Sequence, residues 1–309
     1  MLTLTQNNHF HWTYNGVPFA NRNLDSDIFK MHWDKISRKP LDFKQECIDV
    51  AGKIRDCYPG DKYSILFSGG VDSEVLAQSF LLAKIPFVVD ILRFTHGHND
   101  HDIKYAIDWC VDNNVTYRIH ELDIELFYHS KEYIPLGIKY QSSQIAQIQL
   151  IWLMNKIDDA IPILGTGEVF FEQKPDFGAF LLDPAVQDIR WFYYVRENND
   201  LSIPKYAHIN HRPVISEYFS FTPEIMLSYA VDPLVIKLIT NKLQGKRSVQ
   251  QIKLDVYGQH FPLKARPKYH GYETLKLLNF NAKNEMQQII PFNDNVFQIY
   301  VSDFIESLR

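Results

Sequence analysis

Cysteine is scarce in this chain: three in 309 residues, Cys47, Cys57 and Cys110, with no C-x-x-C pair among them. That excludes a disulfide framework, a zinc knuckle and a redox dithiol, and it points to a reducing, cytoplasmic setting. Long apolar runs are missing as well. No stretch approaches the roughly 18 uninterrupted apolar residues of a membrane span, and the opening MLTLTQNNHFHWTYNG has no basic start followed by an apolar core. A membrane partner and a secretory leader are therefore not expected. Nor is there a surplus of positive charge: 32 Lys and Arg face 37 Asp and Glu, a net charge of −5, which argues against nucleic acid as a partner. Internal repeats and low-complexity tracts are absent, and no G-x-x-x-x-G-K-[ST] motif occurs, which excludes a P-loop kinase.

What is present is core-forming material. Hydrophobic residues make up 46% and aromatics 14% of the chain, enough for two or three units at roughly 100–200 residues each. Residues 1–60 alternate short apolar and polar runs around a Tyr14-Asn15-Gly16 turn, then pass Pro40 into a helix from about Leu41 to Cys57, a small β-containing extension. Over 61–185, apolar strands at 63–67, 87–94, 116–119 and 161–164 alternate with helical stretches at 72–83, 102–112 and 144–156. This alternation predicts an α/β fold with a doubly wound, mostly parallel sheet, whose ligands sit outside the carboxyl ends of the strands. Residues 186–309 read as a mainly helical C-terminal subdomain, punctuated by Thr222-Pro223-Glu224, Asp232-Pro233 and a capping box from Ser248 to Gln251.

The most informative segment is YSILFSGGVDSE (63–74), an apolar strand that ends in Ser68-Gly69-Gly70 and runs straight into a helix. Two glycines permit unusual torsions and let a ligand approach the main chain, while Ser68 and Ser73 add hydroxyls around the exposed N–H groups of a helix N-terminus. The helix dipole and those amides favour phosphate, and Asp72 beside them is placed to hold a magnesium ion.

Ser68-Gly69-Gly70-Val71-Asp72-Ser73 resembles the SGGxDS pyrophosphate loop of the ATP pyrophosphatase superfamily, matching six of six positions. The resemblance implies cleavage of ATP between the α and β phosphates and adenylation of an acceptor. It implies pyrophosphate on Ser68, Gly69, Gly70 and Ser73, magnesium on Asp72, and Leu66, Phe67 and Gly165 near the adenine. Two downstream segments are similar to the synthetase domain of asparagine synthetase and of β-lactam synthetase. In ILGTGEVFFE (163–172), Gly165 and Gly167 match the glycines of a strand-end loop, Thr166 stands where the family carries an acid, and Glu168 takes the place of a second magnesium carboxylate. In KLDVYGQHFPLKARPKYHGYE (253–273), Arg266-Pro267-Lys268 matches a late R-x-K motif. That match implies that Arg266 and Lys268 serve the nucleotide and that Lys268 stabilises charge on the phosphates. Residue 2 is Leu, and the roughly 60 residues before the loop are too few for an N-terminal nucleophile glutaminase domain, so the nitrogen donor stays open, as does the oligomeric state.

The function implied is a Mg²⁺-dependent, AMP-forming ATP pyrophosphatase of the ligase class. It would activate a carboxyl or amide oxygen of a small-molecule acceptor for attack by a nitrogen nucleophile, with Lys268, Asp72 and Glu168 as the catalytic set. Arg93, His98, Asn99 and His101, at the end of the second strand, face the same crevice in this reading, and Ser143 and Gln144 open the long third helix as weaker phosphate or acceptor candidates. Three alternatives remain: an enzyme thiolating or modifying tRNA or a nucleobase, a module that binds ATP or AMP without turnover, and a zinc hydrolase of the metallo-β-lactamase fold. The last rests on His96, His98, Asp100 and His101, which fit H-x-H-x-D-H.

Overall fold

The computed structural model describes residues 9–175, 189–240, 249–264, 266–267, 271–290 and 296–309. The chain opens with β1 (His11–Tyr14), β2 (Val17–Pro18) and β3 (Phe29–His32), an antiparallel sheet of order β2-β1-β3. Asn15 and Gly16 carry φ of 51° and 80° between β1 and β2, the paired positive torsions of the hairpin turn that Asn-Gly favours. Helix α1 (Phe43–Cys57) follows, capped by Asp42, whose carboxylate accepts from the Gln45 amide at 2.9 Å.

The centre is built from β4 (Tyr63–Leu66), α2 (Val71–Leu82), β5 (Val88–Phe94), α3 (Asp100–Asp112), β6 (Tyr117–Leu122), α4 (Ile124–His129), α5 (Tyr133–Tyr140), α6 (Ile145–Met154) and β7 (Ile161–Leu164). Its four strands are all parallel in the order β6-β5-β4-β7. The fold is α/β, as the strand and helix alternation predicts. Successive side chains of β4 point to opposite faces of the sheet, and every residue of YSIL is buried, as in a parallel strand covered on both sides. Ile65, with Val89, Ile91 and Ile163, joins a cluster with Val50, Leu76, Phe80 and Ile103 of α1, α2 and α3. Leu66 and Leu164 join Ile151, Leu153 and Met154 of α6. Both faces are thus covered. The chain steps outward from β4 to β5 to β6 and then returns to the far side of β4 as β7, so the direction of winding reverses between β4 and β7.

Two helices between β6 and β7, α4 and α5, are not among the predicted elements; they are short, and α4 starts on an Asp123 cap that accepts from the Leu126 amide at 2.9 Å. The remaining elements are β8 (Phe171–Pro175), β9 (Ile189–Arg196), α7 (Glu197–Asp200), α8 (Ser202–Asn210), α9 (Pro223–Ala230), α10 (Pro233–Thr240), α11 (Val249–His260), α12 (Lys276–Ile289), β10 (Val296–Tyr300) and α13 (Val301–Leu308). Thr222 and Asp232 cap α9 and α10 as their sequence signals predict, accepting from Ile225 and Leu234 amides at 3.3 and 2.8 Å; Ser248 lies outside the described residues. The C-terminal helices are joined by an antiparallel sheet of order β10-β9-β8, in which the aromatic runs IRWFYYVR and VFQIY supply strand formers. Among the described residues no helix is long and apolar enough to cross a membrane.

Candidate active site

The β4–α2 turn sits at the point where the winding reverses. Gly69 has φ of +90°, and a Cβ there would lie 2.2 Å from the backbone oxygen of Asp102 on α3, so this position requires glycine both for its torsion and for its neighbour. Gly70 serves as N-cap of α2 without any side-chain cap, which leaves the first-turn amides of the helix without a side-chain acceptor. The Ser68 hydroxyl lies 3.3 Å from the Gly70 amide, and the Ser73 hydroxyl donates to the Gly70 carbonyl at 2.9 Å. The β7 end meets this turn directly: a Cβ on Gly165 would come within 2.9 Å of Asp72 and Ser73 backbone atoms. Gly165 therefore lets the β7 loop close on the first turn of α2, while Gly69 lets the β4–α2 turn close on α3.

Above them lies a cavity of about 810 Å³. It is lined by Leu66, Phe67, Ser68, Gly70, Asp72, Ser73, Gly165 and Glu168, so eight of the sequence-derived positions share one space. Leu150 and Leu153 of α6 line it with Leu164 as an apolar wall, and Lys276, Asn279, Phe280 and Lys283 of α12 line it as well. These four recur at i, i+3, i+4 and i+7, one face of a helix. Among the described residues neither Lys276 nor Lys283 enters a salt bridge, in contrast to most charges near the cavity floor.

Asp72 and Glu168 converge on a third group that sequence reasoning missed. Lys253, on α11, places its ammonium 2.5 Å from Oδ1 of Asp72 and 2.9 Å from Oε1 of Glu168. Burial pushes the Asp72 carboxyl up from its ordinary range, Lys253 draws it back and Glu168 adds to the rise. Desolvation acts to lower the Lys253 ammonium, but the two carboxylates outweigh it and hold the group firmly protonated. Two hard carboxylate oxygen donors beside uncapped amides are a set that suits Mg²⁺, which is usually held by one or two carboxylates together with phosphate oxygens. A lysine inside a helix has no sequence signal that separates it from a solvated one.

Asp102 was also missed. It lines the cavity, and a Cβ on Gly69 would sit 3.3 Å from its Oδ1. Burial pushes its carboxyl up to about 6, moderated by His101 and Arg266 and reinforced by Glu273. Asp90, deeper on β5, is the opposite case. Burial alone would raise it, but Arg118 at 2.7 and 2.8 Å, Ser64 and His120 hold it below the usual carboxylate range.

Several sequence-derived positions fall elsewhere. The Arg93 guanidinium is paired with Asp100 at 2.9 Å and with Glu121 at 3.5 Å and does not line the cavity. Arg266 lies behind the turn, donating to the Gly69 carbonyl at 2.7 Å and to Glu74, so it supports the loop from outside the cavity. Lys268 lies outside the described residues. Asn99 reaches the cavity, but its side chain is committed to closing β5, accepting from the Phe94 amide and donating to the Leu92 carbonyl. Ser143 and Gln144 do not line the cavity; Ala146 and Gln149 do so from the same helix. The zinc reading is corrected by the partners of its residues: Asp100 is taken by Arg93, His98 by Thr274 and Glu125, and His101 by Glu273. Among the described residues no group of three or more His, Cys, Asp or Glu is arranged to hold a metal. The hydroxyl of Thr166, between Gly165 and Glu168 on the β7 loop, donates to the Ser216 carbonyl.

No family model matches the chain, and no curated protein matches it. Among solved structures it is similar to NMN synthetase from Francisella tularensis, at 15% identity and a TM-score of 0.33 over 80% of this chain and 94% of that one. It is also similar to an NH3-dependent NAD synthetase from Campylobacter jejuni, at 14% identity and a TM-score of 0.34 over 80% of this chain and 92% of that one.

Proposed function

We propose that the chain is a Mg²⁺-dependent ATP pyrophosphatase that adenylates the carboxyl or amide oxygen of a small-molecule acceptor. A nitrogen nucleophile then displaces AMP, as in the asparagine synthetase family that its motifs resemble. One observation carries this reading: an uncapped helix N-terminus at the sheet's winding reversal opens, beside Asp72 and Glu168, into a cavity large enough for a nucleotide and a second molecule. The α2 amides bind and orient the β and γ phosphates, and the helix dipole favours their charge. The apolar wall of Leu66, Leu150, Leu153 and Leu164 takes the adenine. Asp72 and Glu168 would hold a magnesium ion, which would supply neutralisation of the charge that builds on the leaving pyrophosphate. The α12 face, with Lys276 and Lys283, borders the end of the cavity left to the acceptor. Most of the rate enhancement in such a site comes from position and fixed charge rather than from covalent chemistry.

The test is incubation with ATP, Mg²⁺ and a panel of carboxylate and amide metabolites, following pyrophosphate and AMP. Acceptor-dependent pyrophosphate release that Asp72→Ala abolishes supports the reading. Formation of ADP and inorganic phosphate, or tight ATP binding with no turnover on any acceptor, overturns it; the second outcome favours a binding module.

A further inference from the structure

Lys253 is the part of the site that the resemblance leaves without a role. Helix α11 carries it from a point 181 positions beyond Asp72 into the gap between the first turn of α2 and the β7 loop. Its ammonium takes one oxygen from each of the two carboxylates that suit a metal, and its side chain is 11% exposed against 26% for Asp72 and 29% for Glu168. The carboxylates therefore open to the cavity while the ammonium stands behind them.

We infer that Lys253 makes metal binding conditional on nucleotide: its fixed charge lets Asp72 and Glu168 reject a bare divalent cation and accept one that arrives with a triphosphate. The inference rests on the proposed function and deepens it by assigning the order in which the site is loaded. Two carboxylates alone present a charge of −2, and with the ammonium between them −1, so a lone Mg²⁺ meets both a weaker attraction and a nearby like charge. The triphosphate reverses the sign of the lysine's effect. The phosphates' roughly four negative charges outweigh the metal's two positive ones, so the complex enters at about −2 beside two carboxylates that repel it, and the ammonium offsets part of that repulsion from a position where water screens little. The same residue thus opposes free metal and supports metal–nucleotide. A lysine present only to fill space and balance charge in the core would act on both in the same direction.

The crossing of these effects is the test. Binding of Mn²⁺ alone is followed by electron paramagnetic resonance, and binding of a non-hydrolysable ATP analogue with Mn²⁺ by calorimetry, in wild type, Lys253→Gln and Lys253→Arg. Lys253→Gln is expected to bind bare Mn²⁺ roughly tenfold or more tightly and the metal–nucleotide roughly tenfold or more weakly, whereas Lys253→Arg retains the wild-type order. A Lys253→Gln protein whose two affinities are unchanged or move together overturns the inference while leaving the proposed function in place. A wild-type protein that binds no nucleotide overturns both. Should the glutamine variant not fold, lysine-labelled wild type serves. Its Lys253 Nζ resonance is expected to stay fixed under millimolar Mg²⁺ and to shift when the analogue is added, and a shift under Mg²⁺ alone overturns the inference.

Discussion

A single carboxyl shows how the cavity sets local chemistry. Asp102 stands at the start of α3, against Gly69, and burial raises it from 3.8 to about 6. A raised carboxyl in the folded state means that the native protein holds its proton more tightly than the unfolded chain does. Below about 4 both states are protonated and the contribution is whole; between about 4 and 6 the unfolded chain ionises first, and stability falls as pH rises. Above about 6 the contribution is gone. Asp102→Asn removes this slope, so the variant should gain about 1–2 kcal/mol relative to wild type on passing from pH 4.5 to pH 7, a figure discounted because solvent reaches the carboxyl from the cavity. Urea denaturation of both proteins at several pH values reads the difference, and parallel profiles would refute the assignment. Lys253 is the contrasting residue. It was invisible in the sequence because its partners, Asp72 and Glu168, are 181 and 85 positions away, and no local pattern encodes a charge pair across that distance.

At the scale of elements, the strand–turn–helix at 63–82 was legible because every feature is local: an apolar run, two glycines at the turn and an apolar helix directly after. Strand β7 was legible for the same reason, and so were the Thr222 and Asp232 caps. The C-terminal strands β9 and β10 were obscured because proline-capped helix starts dominate that region and the strands pair across about 100 residues, Val296 with Arg196 and Tyr300 with Phe192. Arg266 shows a motif residue whose place was legible and whose role was not. Sequence order put it beside the pyrophosphate turn, where the structure also finds it, but its guanidinium grips the turn from behind. It donates to Gly69 and to the buried Glu74 and lies 5.3 Å over the Tyr105 ring. Removing it leaves Glu74 buried with a lone charge, against which Gln78 offers only one hydrogen bond, at 3.0 Å. Arg266→Ala is therefore expected to lose about 3–5 kcal/mol of stability, and the double variant Arg266→Ala with Glu74→Gln to recover a substantial part. Chemical denaturation decides it: a loss below about 1 kcal/mol for the single variant would show that the pair does not brace the turn.

Across the whole molecule, stretches that differ in sequence character share one buried cluster. Trp12 and Met31 of the N-terminal sheet, Ile65 and Ile163 of the parallel sheet, and Tyr257, Val301 and Phe304 near the C-terminus all belong to it. The last helix is a tie between distant parts of the chain. Phe304 is fully buried, stacked on Tyr193 at 4.2 Å and edge-on to Trp33 at 5.3 Å. The Trp33 indole donates to the Ser307 hydroxyl at 2.8 Å, and the Ile36 amide donates to the Leu308 carbonyl at 2.7 Å. None of Trp33, Tyr193 and Phe304 lines the cavity, so this packing supports the site only by keeping the fold together. Phe304→Ala should leave a cavity between Tyr193, Trp33 and Phe171 and lower stability by about 3–5 kcal/mol. At temperatures where the variant is still folded, its affinity for an ATP analogue should match wild type. Thermal denaturation paired with calorimetric titration separates the two quantities. An unchanged melting temperature would contradict the packing argument, and a weakened nucleotide affinity in the folded variant would mean that the C-terminal tie reaches the active site through more than global stability.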